Sequence, residues 1–130
     1  MKQRPQDLNE KIVHLTLWHH APSQKDCLHV SYGMDFHGAR TNPNGYRGAF
    51  RRDANGRGYT LEYAIPWELL KAKSDRPRAG DILAATWTAH WSDESGRRWR
   101  GQLVEIRNPS EPTRPNHWDR AASWGRAIYR

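Results

Sequence analysis

Hydrophobic and polar residues alternate with period two along most of this chain, and period two is the signature of half-buried strand. From Lys11 to Trp18 the alternation is clean. Val13, Leu15 and Leu17 share one face, and Ile12, His14, Thr16 and Trp18 share the other. Pro22, Ser23, Gln24 and Lys25 mark a turn. A second run from Cys27 places Leu28, Val30, Tyr32 and Met34 on one face and Cys27 on the outward one. The two runs predict a hairpin. Residues 38–48 are rich in Gly, Asn and Pro and predict a long loop, with 46–52 a short edge strand after it. Asn55-Gly56 then makes a strong turn signal. Tyr59 to Ile65 predicts a strand with Tyr59, Leu61, Tyr63 and Ile65 inward and Glu62 outward. Pro66-Trp67-Glu68-Leu69-Leu70 predicts one helical turn with Pro at its first position. Ile82 to Trp91 predicts one strand with Leu83, Ala85, Trp87, Ala89 and Trp91 on a common face. Strands over 99–106 and 123–129 complete the set, separated by a loop carrying Pro109, Pro112 and Pro115.

Six or seven short strands with turns between them predict an all-β fold, an antiparallel β-sandwich of immunoglobulin-like or jelly-roll-like type. Residues 1–10 are expected to be a flexible lead-in and 11–130 a single domain, since 130 residues suit one domain. The chain starts directly on a strand, which predicts a sandwich incomplete at its N-terminal side. No run of roughly 18 apolar residues occurs, so no transmembrane helix is expected. The first residues lack the apolar stretch of a signal peptide. Either the protein is not exported by that route, or the chain begins inside a longer precursor with other domains.

Composition sharpens this picture in one respect. Hydrophobic residues make up 36% of the chain, yet seven Trp, five Tyr and two Phe are among them. Aromatics therefore have to build much of the core that aliphatics usually supply, each covering roughly 150–250 Å². Trp67, Trp87 and Trp124 lie at positions that predict core. The net charge is +7, and 16 of the 21 basic residues are Arg. Such an excess suits an acidic partner. The charges are scattered, however, and no aromatic-basic motif of the RNA-recognition type is present. Nucleic acid is therefore not the expected partner, and the Arg excess predicts mainly surface charge.

Several chemistries find little support. The chain has no phosphate-binding Gly-rich loop and no Gly-x-Ser-x-Gly elbow. The spacing of Glu62, Glu68 and Glu105 does not mark a carboxylate pair. Cys27, the single cysteine, excludes an internal disulfide and a Cys-based zinc site. Its outward parity also argues against a thiol–imidazole dyad. No catalytic residue is assigned, and the chain is not expected to be an enzyme. His19 and His20 are adjacent and point to opposite faces of a strand. His14 and His29 are expected to meet as a cross-strand pair. Asp35, Asn42 and Asn44 are candidate oxygen ligands for a structural calcium, and Asp35 with His37 has the spacing of two ligands on one side. Ordinary hydrogen-bonded polar residues remain the competing reading at every one of these positions.

The remaining Trp residues point to sugar. Pyranose rings offer flat C–H faces that stack on Trp, while their hydroxyls bond to Arg, Asn, Asp and Gln. Trp91 ends one strand, Trp99 starts the next among Arg97, Arg98 and Arg100, and Trp118 follows Asn116 and His117. Trp91, Trp99 and Trp118 are the candidate platform, with Arg97, Arg98 and Asn116 as polar partners.

Gly58-Tyr59-Thr60-Leu61-Glu62-Tyr63-Ala64-Ile65-Pro66-Trp67-Glu68-Leu69-Leu70, then Gly80-Asp81 opening a strand, then Trp124-Gly125 before the last strand, resembles family 9 carbohydrate-binding modules and their DOMON-like relatives. The similarity spans roughly residues 57 to 130. It implies a β-sandwich with one of two functions. The first is non-catalytic binding of a polysaccharide or oligosaccharide, as an accessory to a secreted bacterial polysaccharide-acting system, located outside the cell or in the periplasm. The second is haem binding for electron transfer, as in the ethylbenzene dehydrogenase-like branch, which Tyr32-Gly33-Met34-Asp35-Phe36-His37-Gly38 also resembles. That branch implies Met and Lys ligands; Met34 is the candidate Met, and Lys71, Lys73 or a His is its candidate partner. A structural or interaction module on the same fold is the third expectation.

Overall fold

The computed structural model describes residues 11–72, 76–92, 99–104 and 124–130. Among them are nine strands, and every ladder is antiparallel. The all-β antiparallel expectation holds. Two compact units divide the chain, residues 1–76 and 77–130.

In the first unit, β1 (Val13–His20) and β2 (Lys25–Tyr32) form the predicted hairpin. A single 3₁₀ turn, Ala21–Ser23, joins them, with Pro22 at its start and Gln24 in the left-handed region at its end. β3 (His37–Thr41) pairs with the other edge of β2, so the sheet order is β1-β2-β3. This strand falls partly inside the predicted loop. Its residues carry no apolar alternation, because all five are exposed. At its start the ladder bulges, with Gly38 and Ala39 facing the single Ser31. Gly38 has φ +61°, a value that favours glycine.

The register puts Leu17 opposite Leu28, Leu15 opposite Val30 and Val13 opposite Tyr32, all on one face. Leu28 and Val30 are fully buried. With Ile12, Cys27, Tyr32 and Leu69 they form the buried apolar core. Leu15 and Leu17, on the edge strand, stay partly exposed. The outward parity of Cys27 does not make it exposed: it is 5% accessible, and Ser31 on the same face is 2%. On that face Cys27 sits opposite Trp18 and Ser31 opposite His14, so a large cross-strand ring lies beside each small side chain.

β4 (Arg47–Arg52) and β5 (Tyr59–Ala64) form a second hairpin around the Asn55-Gly56 turn. Gly48, Phe50, Arg52, Tyr59, Leu61 and Tyr63 share one face by register. Tyr59 is not inward in the sense of buried: it is 62% exposed, at the hairpin tip opposite Arg52. Glu62 is exposed as predicted. The predicted helical turn after Pro66 forms, with Leu69 N–H donating to Pro66 O and Leu70 N–H to Trp67 O.

Two tyrosines pin the second hairpin to β2. The single Tyr63 hydroxyl proton is shared between the carbonyls of Trp18 and Cys27, at 3.1 and 3.0 Å. The single Tyr46 hydroxyl proton is shared between Asp26 O and Asn42 Oδ1, both at 2.8 Å. Asn42, at φ +53°, turns the chain off the sheet while still completing the ladder. Its N–H donates to Leu28 O at 2.7 Å, and its side-chain oxygen accepts from Leu28 N–H at 3.1 Å. The side chain replaces the backbone carbonyl that a continued strand would have supplied, which keeps a buried amide paired. His19 stacks on Phe50 at 4.0 Å and donates to Asp26 Oδ1 at 2.7 Å.

In the second unit the single strand predicted over 82–91 is two. β6 (Ile82–Ala85) pairs with β9 (Gly125–Ile128), and β7 (Thr88–Ser92) pairs with β8 (Trp99–Val104). The chain changes partner at Thr86-Trp87, outside either ladder. Trp87 is therefore 47% exposed and not a core residue. Trp67 and Trp124 are half-buried, so neither joins the buried core. Among the described residues no helix is long and apolar enough to cross a membrane.

Candidate functional site

β7 presents Trp91 near the end of its ladder. The indole is 51% exposed. Its cross-strand partner is Gly101, which has no side chain to lay over the ring. The register then steps from Trp91↔Gly101 to Ser92↔Trp99, leaving Arg100 as the extra residue of a bulge. Bulges at ladder ends re-aim side chains and stop pairing. A half-exposed indole on a strand, unscreened from across the ladder, can take the apolar face of a flat ligand. Trp87 adds a second exposed indole before the same strand.

Only part of the predicted platform can be placed. Trp99 opens β8, where its backbone is described. Arg97, Arg98, Asn116 and Trp118 lie outside the described residues. Tyr59, in the first unit, is a further exposed aromatic, tilted against Phe50 at 5.7 Å.

The candidate haem ligands fall in the first unit. Met34 sits in the turn between β2 and β3 and is 36% exposed. The Lys71 ammonium lies over the Tyr32 ring, 4.2 Å from its centroid. Lys73 lies outside the described residues.

The candidate metal ligands are largely engaged with one another or with the backbone. Asn42 Oδ1 already accepts from Leu28 N–H and from the Tyr46 hydroxyl, which removes it from the calcium set. Asp35 and His37 do share one side, but they bond to each other at 2.9 Å. That bond holds the Asp35 carboxyl below its ordinary value. His14 and His29 do not meet. His14 sits opposite Ser31 and His29 opposite Thr16, two residues apart along the ladder. His14 Nε2 bonds to Gly33 O at 2.9 Å, and its ring lies 4.2 Å from Phe36. Burial lowers the His14 pKa, only partly opposed by the bond to Gly33. His29 bonds to Thr41 Oγ1 at 2.9 Å. Among the described residues no group of three or more His, Cys, Asp or Glu is placed to hold a metal ion.

The outer face of the β4–β5 hairpin carries a shallow hollow of about 300 Å³ lined by Arg47, Ala49, Glu62 and Ala64. It is an open strand surface with alternating charge. No buried side-chain polar atom lacks a partner among the described residues.

No protein-family model matches this chain, and no curated protein or solved structure does either.

Proposed function

We propose that this chain is a non-catalytic carbohydrate-binding module on a β-sandwich, working with a polysaccharide-acting system outside the cell or in the periplasm. The observation that carries the reading is Trp91, half-exposed on β7 opposite a glycine. The resemblance of residues 57–130 to family 9 modules supports the same reading. Trp99, Trp118, Arg97, Arg98 and Asn116 are the residues proposed to extend the platform.

Stacking sets the expected magnitude. A Trp side chain covers up to about 250 Å². Half-exposed, it offers about 100 Å², and a pyranose face covers roughly half of that. At about 25 cal/mol per Å² this contributes about 1.3 kcal/mol, or tenfold in affinity.

The test is retention on a panel of insoluble polysaccharides, comparing the native chain with Trp91→Ala. Retention of the native chain and about tenfold weaker binding of the variant are expected. Undiminished retention in a Trp91→Ala, Trp99→Ala, Trp118→Ala triple variant would remove the platform. A Soret band on haem reconstitution, without retention on any polysaccharide, would favour the electron-transfer alternative.

A further inference from the structure

Tyr32 gathers two cations in the first unit. Its ring is buried, at 3% exposure, and its hydroxyl donates to Leu69 O at 2.9 Å. The same oxygen accepts from Arg40 Nη2 at 3.1 Å. The Lys71 ammonium lies 4.2 Å from the ring centroid. Both cationic side chains belong to exposed residues. One ring holds both, so the charges sit within about 10 Å of each other, one Debye length at 0.1 M salt.

The backbone at Lys71 is unusual for its residue type. The helical turn after Pro66 ends with Ala72 N–H donating to Trp67 O at 2.9 Å and Lys71 N–H to Glu68 O at 3.3 Å. These two bonds form a Schellman cap, and Lys71 occupies the position where glycine is usual. Its φ is +54°, which a side chain disfavours. A lysine in a glycine position, placed over a tyrosine beside an arginine, is a costly arrangement for a structural cap.

The neighbouring acids do not neutralise the pair. Asp35 bonds to His37 and Glu68 to Arg76. No carboxylate among the described residues forms an ion pair with Arg40 or Lys71. Arg40 spends one of its five N–H donors on Tyr32, and Lys71 keeps its three.

The geometry points to an oxyanion seat at Arg40 and Lys71 that takes the carboxylate of an acidic polysaccharide. The arginine fork suits a planar carboxylate, and the lysine adds a point charge beside it. The choice of a sugar acid rests on the carbohydrate-binding reading; the seat itself rests on Tyr32 and its two cations. With its ring buried, Tyr32 offers no stacking surface for a nucleobase, which disfavours nucleic acid as the occupant.

Affinity electrophoresis through polygalacturonate, against its methyl-esterified form, tests the seat. Native protein should be retarded by the acid and not by the ester. Lys71→Gly, which suits the backbone at that position, and Arg40→Gln should each weaken binding about tenfold, the loss of one charge-assisted hydrogen bond. Arg57→Gln removes the same charge from an exposed turn and should change binding less than about twofold. Equal weakening by all three variants would overturn the seat in favour of diffuse charge. Tighter retention by a single-stranded DNA gel would overturn the choice of partner. If the acid is bound through Lys71 while Trp91→Ala is silent on every polysaccharide, the seat stands and the Trp91 platform falls. If acid and ester bind equally and both are lost in Trp91→Ala, the platform stands and the seat falls.

Discussion

Gly48→Ala is a one-methyl test of how the β4–β5 hairpin meets the first sheet. Gly48 is not needed for its φ, which lies outside the left-handed region. It is needed for space. A Cβ there would fall 2.6 Å from the Asp26 Cβ and 3.0 Å from Tyr63 Cε1. Carbon atoms rest at about 3.5–4.0 Å, so roughly 1 Å must be found. Neither neighbour can swing aside. The Asp26 Cβ is fixed by the backbone of β2, and the Tyr63 ring is anchored by its bonds to Trp18 O and Cys27 O. The hairpin therefore has to lift, stretching the Tyr63 and Tyr46 anchors. Overpacking of this kind costs about 1–3 kcal/mol, and each weakened hydrogen bond about 1 kcal/mol. The entropic gain of alanine over glycine returns about 0.5–1 kcal/mol. The expected net loss is about 2 kcal/mol, a fall in Tm of roughly 8–16 °C for a unit of this size. Thermal and urea unfolding followed by circular dichroism measure it. Two companions separate packing from propensity. Ala49→Gly, on the exposed outer face, should cost no more than about 1 kcal/mol. Gly48→Ala combined with Tyr63→Phe should cost less than the sum of the single changes, because they break the same contact. A Tm for Gly48→Ala within 2–3 °C (roughly) of the native chain, or full additivity with Tyr63→Phe, would refute the steric account.

Asn42→Ala should destabilise the chain by about 2 kcal/mol, because Leu28 N–H then loses its acceptor while the Tyr46 hydroxyl keeps only Asp26 O; faster hydrogen exchange at the Leu28 amide would localise the loss. The Tyr63 hydroxyl has its pKa pushed up to about 12, by burial first and then by Asp26. The folded state thus prefers the protonated phenol. That contribution is complete below the unfolded-state value of about 10 and is lost as pH rises toward 12. Urea midpoints measured from pH 9 to 11 (roughly) should therefore fall in the native chain and fall less steeply in Tyr63→Phe, with Tyr46, also raised, supplying the remainder.

Strand existence was largely legible in the sequence. β1, β2, β4 and β5 show period-two patterning or a turn signal at their ends, and both are local properties. β3 was not legible, because its five exposed residues leave no apolar alternation. The break at Thr86-Trp87 was hidden for the opposite reason: alternation continues across it while the pairing partner changes from β9 to β8. For the site, the exposure of Trp91 agrees with its place at a strand end. The Arg40–Tyr32–Lys71 arrangement carries no sequence signal, since it joins residues from β2, β3 and the turn after β5.

The sequence by itself determined that the chain is antiparallel β, where most hairpins turn, and which residues share a face. It could not determine which faces are covered. Parity placed Cys27 outward, but it sits opposite the large Trp18 and is buried. Parity placed Trp87 and Tyr59 inward, but nothing closes over a partner switch or a hairpin tip, and both are exposed. Facing is set by bonds within one strand. Burial is set by what the rest of the chain lays on top, and only tertiary structure decides that.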